Sequence, residues 1–444
     1  MISTLLYRTL RVTKLTPASL SLLASVVAAA PCHALIVKTW NGAGTPSLIN
    51  TTAPPDDPGY ANLPANGTGV YLGDNLFLTA VHNDGTAYNG SGSWNIAGRD
   101  FPVIPGSQIT LTNPTTFAGR TLDANADLRL YRIGVDPLTG LTPEELDPSI
   151  RRIDIASSLV GTSEAITMFG TGVVREVNAA EPSTGQHYFD SAGNVLYNSS
   201  SWPSATYRGF GYGGPASVGP RPWHWGTNTR VSSIPSNIVR SGGNVLVEAG
   251  GLKDTVGFMV RFDQNGLPDE AQGAGGDSGG PVFRKEGDEW VLAGLTHAVI
   301  ALNGNNKLLG AFGSYTLISD VSQTHYRDQI VGARGVYSKM GDLDLDGSIT
   351  GSIVNGVATG DLGILVDNWL YQSGEADVHS WMRGDLNQDG QTDLLDFVLM
   401  REALGGSISS SSFAQLIAAQ SVPEPGAVLL AALALGAAMP GRRR

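Results

Sequence analysis

The clearest apolar runs in this chain are short and end at turn residues. Gly67-Thr68-Gly69-Val70-Tyr71-Leu72 and the run Leu76 to Val81 read as a hairpin about the turn Gly73-Asp74-Asn75. Ala126 to Ile133 alternates apolar and polar positions, as a half-buried strand does. Ala165 to Gly172 and Trp290 to Val299 read as two further strands, and Val282-Phe283 as a buried one that starts at Pro281. The pattern becomes helical only near the C-terminus, from Leu394 to Leu404. Two longer apolar stretches, Leu20–Ala30 and Ala427–Met439, stand apart at the chain ends.

Composition supports a turn-rich sheet protein. The 444 residues include 57 glycines, and only 15% of the chain is charged. This length leads us to expect several modules, the largest able to bury a full core. A net charge of −12 argues against nucleic acid and against general adhesion to anionic membranes. Residues 1–34 resemble a secretory signal peptide: Arg8, Arg11 and Lys14 precede the apolar segment, and Cys32-His33-Ala34 offers a small-x-small cleavage site. The sole cysteine lies in that leader, so a mature chain starting near Leu35 relies on its core, on bound ions, or on both.

The candidate chemistry centres on Gly276-Asp277-Ser278-Gly279-Gly280-Pro281, a tight turn presenting one serine. Backbone N–H groups at Gly276 and Ser278 are placed to form an oxyanion hole. A serine hydroxyl needs a base, usually a histidine held by a carboxylate. His82 ends the apolar strand Leu76 to Val81, within Thr79-Ala80-Val81-His82, and Asp127 opens the alternating strand Asp127-Leu128-Arg129-Leu130. The hexapeptide, the histidine motif (with Val81 where alanine is usual) and the order His82, Asp127, Ser278 resemble trypsin-like serine proteases of the chymotrypsin fold. That resemblance implies a Ser-His-Asp triad, an acyl-enzyme and a protein or peptide substrate. Ile36-Val37 resembles the strand that opens such mature enzymes, but no Lys or Arg immediately precedes it to mark a trypsin-type activation cut.

The resemblance also locates a specificity pocket. Gln272, six residues before Ser278, falls at its base and, not being Asp, does not attract Lys or Arg. His297 stands where a serine is common and Val299 where a glycine is common. Val299 would narrow the pocket. His297 has three open readings: support of Asp127, recognition of acidic substrates, or an ordinary buried histidine.

Residues 340–405 carry different chemistry. Asp342-Leu343-Asp344-Leu345-Asp346-Gly347 and Asp385-Leu386-Asn387-Gln388-Asp389-Gly390 repeat one acidic pattern, with oxygen ligands at alternate positions and then glycine, suited to a loop around Ca²⁺. The second copy continues through Gln391, giving its backbone oxygen, to Asp393 and Asp396. Asp361 is the expected closing ligand of the first copy, after an insertion at about Ser352 to Gly360. The pair resembles a dockerin, which implies structural Ca²⁺ and a possible cohesin-like partner. Residues 406–420 read as a Ser-rich linker. Residues 421–444, with Pro423-Glu424-Pro425, the apolar stretch and Arg442-Arg443-Arg444, resemble a PEP-CTERM sorting tail. Alternatively they form a plain C-terminal anchor, although about 20 Å of helix is short for one.

The expected architecture is mainly β: two six-stranded antiparallel barrels over residues 35–335, followed by a small α-helical EF-hand or dockerin-like module. The expected function is an exported serine endopeptidase, held transiently at the membrane by its tail and trimmed by a sorting enzyme. The alternative is a catalytically inactive surface binding or scaffold protein of the same fold.

Overall fold

The computed structural model describes residues 35–39, 50–83, 92–104, 107–139, 141–172, 186–211, 222–248, 253–335, 340–344, 348–372, 378–387, 389–409, 411–412 and 414–416. Residues 1–34, Asp346 and the residues from 417 onward, with the expected leader and the expected tail 421–444, lie outside them. Among the described residues no helix is long and apolar enough to cross a membrane.

The hairpin about Gly73-Asp74-Asn75 forms. Strands Val70–Gly73 and Leu76–Thr79 pair antiparallel, and Asp74 and Asn75 both sit at φ 55, the left-handed pair of a tight hairpin turn. Leu76–Thr79 then pairs with Asn125–Arg132, which pairs with Ile109–Thr112, completing a four-stranded sheet. The second sheet has nine strands. Its order runs His224–Thr229, Ala165–Gly170, Pro281–Glu286, Glu289–Ile300, Tyr315–Asp320, Thr255–Arg261, Asn244–Val247 and Arg240–Ser241; the short strand Asp154–Ile155 lies parallel to Glu289–Ile300.

The molecule is mainly β, as expected, and two closed barrels are not found among the described residues. Among the described residues both sheets are open. Beside the first sheet, Ser93–Ile96 pairs with Arg99–Pro102, and the chain just after this hairpin bonds to the sheet through the bridge Val103–Ile133 and the Ile104 N–H to the Arg132 carbonyl at 2.9 Å. That hairpin covers the sheet with side chains, Trp94 stacking on Phe77 at 3.7 Å between ring centroids.

The two sheets share one core, in which Leu72, Leu76, Leu128 and Leu130 meet Phe169, Phe283, Leu292 and Leu295. Helix Thr324–Gly335 ties them together. Its buried Tyr326 hydroxyl donates to Asn113 Oδ1 and accepts from the Val256 N–H at 3.0 Å. At the far end Arg334 donates to the Leu72 carbonyl at 3.0 Å. Trp223, just before strand His224–Thr229, is also core, with its ring N–H donating to the Pro64 carbonyl at 2.6 Å.

The C-terminal module packs around Leu343, Leu362, Leu365, Trp381, Leu386, Phe397 and Met400, and Ile104 of the first module joins that cluster. Helices Gly360–Asp367, Val378–Trp381 and Leu394–Ala403 surround it. The insertion is a β-hairpin, Gly351–Val354 with Val357–Thr359, turning at Asn355-Gly356.

Candidate active site

The end of strand Leu76–Thr79 leads into a single 3-10 turn, Val81–Asn83, in which His82 is exposed with its side chain partly covered. Asp127 lies in the neighbouring strand, 1% exposed. Its Oδ1 accepts the His82 backbone N–H at 2.9 Å, and its Oδ2 pairs with His82 Nδ1. Two bonds to one carboxylate fix both the backbone and the ring of the histidine, leaving Nε2 as the nitrogen for proton transfer. The Asp127 N–H in turn donates to Thr255 Oγ1 at 2.9 Å, linking the first sheet to the second behind the site.

Ser278 is presented from the turn before strand Pro281–Glu286. Gly276 has φ 91 and Gly279 φ 84, conformations that favour glycine. At Gly279 a Cβ would also lie 2.7 Å from Thr79 Oγ1, so the turn seats against the strand that carries His82. The Ser278 carbonyl accepts from Thr68 Oγ1 at 2.5 Å and from Asn83 Nδ2, the residue next to His82. These bonds bring the serine loop and the histidine turn together. In this structure the Ser278 hydroxyl donates to the His297 carbonyl at 3.1 Å and not to His82. Among the described residues the N–H groups of Gly276 and Ser278 have no protein acceptor, as an oxyanion hole requires.

Asp277 points inward and is fully buried. It accepts the Gly172 N–H at 2.6 Å and the Ala274 N–H at 2.7 Å. Burial pushes its carboxyl up to about 7, against those two donors. Strand Ile36–Val37 does not reach the sheets' edges but pairs with Ala271–Gln272, Ile36 opposite Gln272.

Of the expected pocket residues, Gln272 is 1% exposed, and among the described residues neither of its amide atoms has a hydrogen-bond partner. Val299 is half-buried opposite Thr316. His297 is buried, its Nε2 3.5 Å from Asp127 Oδ2 and its Nδ1 3.0 Å from Ser319 Oγ.

In the acidic module, the carboxylates of Asp342, Asp344 and Asp361 converge, with ligand oxygens within 4.8 Å of one another. Asp361 is held in place by accepting from the N–H groups of Leu343 at 2.7 Å and Thr350 at 2.7 Å. A hard, oxygen-seeking divalent cation suits such a donor set. The second loop is closed in the same way by Asp396. Asp385 accepts the N–H groups of Asp389 and Gly390, at 3.0 and 2.9 Å, and Asp389 accepts that of Gln391 at 3.0 Å. Asp396 accepts those of Asn387 and Asp393, at 2.9 and 2.8 Å, and Asp393 caps helix Leu394–Ala403 through the Leu395 N–H at 2.7 Å. Asn387 stands at the position that Asp344 holds in the first loop, and among the described residues a cluster of three carboxylates is found in the first loop and not in the second.

Thr68, Asn83, Thr255 and Ser319 brace the site without any local motif to announce them. Their partners lie 22 to 210 residues away, except for the Asn83 bond to Thr68 at 2.8 Å.

No family model matches the chain, and no curated protein matches it. Solved structures of proteases do resemble it. Mouse neuropsin, a serine protease expressed in the limbic system, is 14% identical over 60% of this chain and 87% of its own, with TM-score 0.32. The NS6 protease of murine norovirus is 13% identical over 58% and 87%, with TM-score 0.25. The passenger domain of the plasmid-encoded toxin of enteroaggregative Escherichia coli is 13% identical over 61% of this chain and 22% of its own, with TM-score 0.28.

Proposed function

We propose that this chain is an exported serine endopeptidase of the trypsin-like class. The observation that carries the reading is the double bond of His82 to buried Asp127 beside a serine loop whose Gly276 and Ser278 N–H groups are unclaimed. In the reaction, His82 takes the Ser278 proton as the oxygen attacks a peptide carbonyl. Asp127 orients the ring and stabilises its charged form. The Gly276 and Ser278 N–H groups hold the oxyanion, and His82 returns the proton to the leaving amine. Water, activated by the same histidine, then releases the acyl group. The hydroxyl swings from the His297 carbonyl to His82 by a χ1 rotation when substrate closes the site, since catalytic hydrogen bonds often tighten only in the complex.

The hydrogen bond from Ser278 to His297 favours a second reading, a catalytically silent binding protein of the same fold. A fluorophosphonate probe separates the two. Covalent labelling that disappears in Ser278→Ala supports the enzyme; an unlabelled, folded protein supports the binding protein.

In this reading the acidic module binds structural Ca²⁺ and offers a docking face to a cohesin-like partner. Asp342, Asp344 and Asp361 hold one ion with Asp346, and Asp385, Asn387, Asp389, Gln391, Asp393 and Asp396 hold another. The leader exports the chain, and a sorting enzyme cuts the tail near Pro423-Glu424-Pro425, placing the protease at the envelope surface or in the medium. Intact-mass measurement of protein from the native host tests this: a soluble mature form still ending at Arg444 contradicts it.

A further inference from the structure

His297 touches both ends of the triad. The ladder between Glu289–Ile300 and Tyr315–Asp320 pairs Thr296 with Ile318 and Ala298 with Leu317, so His297 is the additional residue of a β-bulge. A bulge removes one residue from the ladder and re-aims its side chain. Here it frees the His297 carbonyl, which accepts the Ser278 hydroxyl at 3.1 Å. It also turns the ring inward, 1% exposed, with Nε2 3.5 Å from Asp127 Oδ2, an electrostatic approach and not a hydrogen bond, and centroid 5.7 Å from that of His82.

The surroundings select one form of the ring. Ser319 Oγ lies 3.0 Å from Nδ1 and can donate to it, which leaves the proton on Nε2, facing the carboxylate. The other neutral tautomer would aim a lone pair at Asp127, acceptor against acceptor. The charged form is opposed by burial, which pushes the imidazolium down to about 4 even though Asp127 favours it and His82 adds to the opposition. Asp127 Oδ2 therefore faces two imidazoles, one that exchanges protons and one that does not.

We infer that His297 is a positioning residue of this site: its uncharged ring steadies the Asp127 carboxylate, Ser319 steadies the ring, and its carbonyl parks the Ser278 hydroxyl between turnovers. The kinetic consequence rests on the serine-hydrolase reading above; the geometry does not.

Two experiments test it. The first needs no turnover: imidazole ¹⁵N NMR on the full-length Ser278→Ala protein. His297 should be the neutral Nε2–H tautomer and should not titrate between about pH 5.5 and 8, where an ordinary histidine does. A protonated ring or the Nδ1–H tautomer overturns the inference. The second is kinetic. His297→Leu keeps the bulk but lacks a donor, and kcat should fall about 10²-fold, the scale of a small misplacement of catalytic groups. KM should stay within about two-fold, because ground-state binding is untouched. His297→Gln, whose amide N–H falls near the place of Nε2–H, should recover most of that loss, and Ser319→Ala should lower kcat by less than His297→Leu. A Leu variant with wild-type kcat, or Leu and Gln variants equally impaired, overturns the inference. If His297→Leu does not fold, Ser319→Ala and the NMR result decide. A wild-type protein that neither labels with fluorophosphonate nor cleaves peptides defeats the hydrolase reading alone, and the NMR result still judges His297.

Discussion

His82 and Asp127 are joined twice, through the His82 backbone N–H to Oδ1 at 2.9 Å and through ring Nδ1 to Oδ2. The carboxylate therefore sets the position of the main chain as well as the tautomer of the ring. Because Asp127 is 1% exposed, no solvent competes for either bond.

Asp127→Asn is the variant that separates geometry from charge. The amide keeps the size of the side chain but stabilises the wrong tautomer and no longer supports an imidazolium. The expected loss in kcat at neutral pH is about 10⁴-fold with the melting temperature little changed. Steady-state kinetics on a peptide substrate check this; a loss smaller than ten-fold would show that His82 does not depend on this carboxylate.

The pH dependence of stability has an identifiable contributor in Asp277. Its carboxyl is raised from 3.8 to about 7 by burial, so between those values the folded protein holds a proton that the unfolded chain has released. The contribution of this group is full below about pH 4, declines as pH rises, and is lost above about 7. Asp277→Asn should remove that decline. Urea midpoints across this range for both proteins measure it, and parallel curves would show that Asp277 does not titrate there.

Calcium should stabilise the C-terminal module through its first loop. Asp342, Asp344 and Asp361 repel one another without a cation, and Asp361 also holds the loop through the Leu343 and Thr350 N–H groups. Chelation of the full-length protein should lower the melting temperature of the module, and Asp361→Asn should lower Ca²⁺ affinity by at least about ten-fold. Calorimetry with and without Ca²⁺ checks both; melting that ignores chelator would remove the ion from this account.

What the sequence made legible was local. The serine turn shows itself in four glycine and proline positions around Ser278, and the strands ending at His82 and opening near Asp127 show themselves as apolar runs. Asn355-Gly356 is an equally local hairpin signal, and it accounts for the insertion in the acidic module. The rest depends on distant partners. Nothing near Thr255 or Ser319 announces that they brace Asp127 and His297. The stacking of Trp94 on Phe77 is likewise a packing preference that strand patterns do not encode. The role of His297 follows from a single unpaired step between Thr296 and Ala298. Three readings of that residue are equal in the sequence, and we take the first of them from the bulge and from the 3.5 Å approach of the ring to Asp127.

The most direct test of the central claim is active-site labelling of the full-length protein with a fluorophosphonate, followed by peptide mapping. The account predicts one stoichiometric adduct on Ser278, absent in Ser278→Ala and in His82→Ala, with casein hydrolysis lost in the same two variants. A folded wild-type protein that takes up no label at Ser278, or a Ser278→Ala protein that cleaves casein at the wild-type rate, would contradict it.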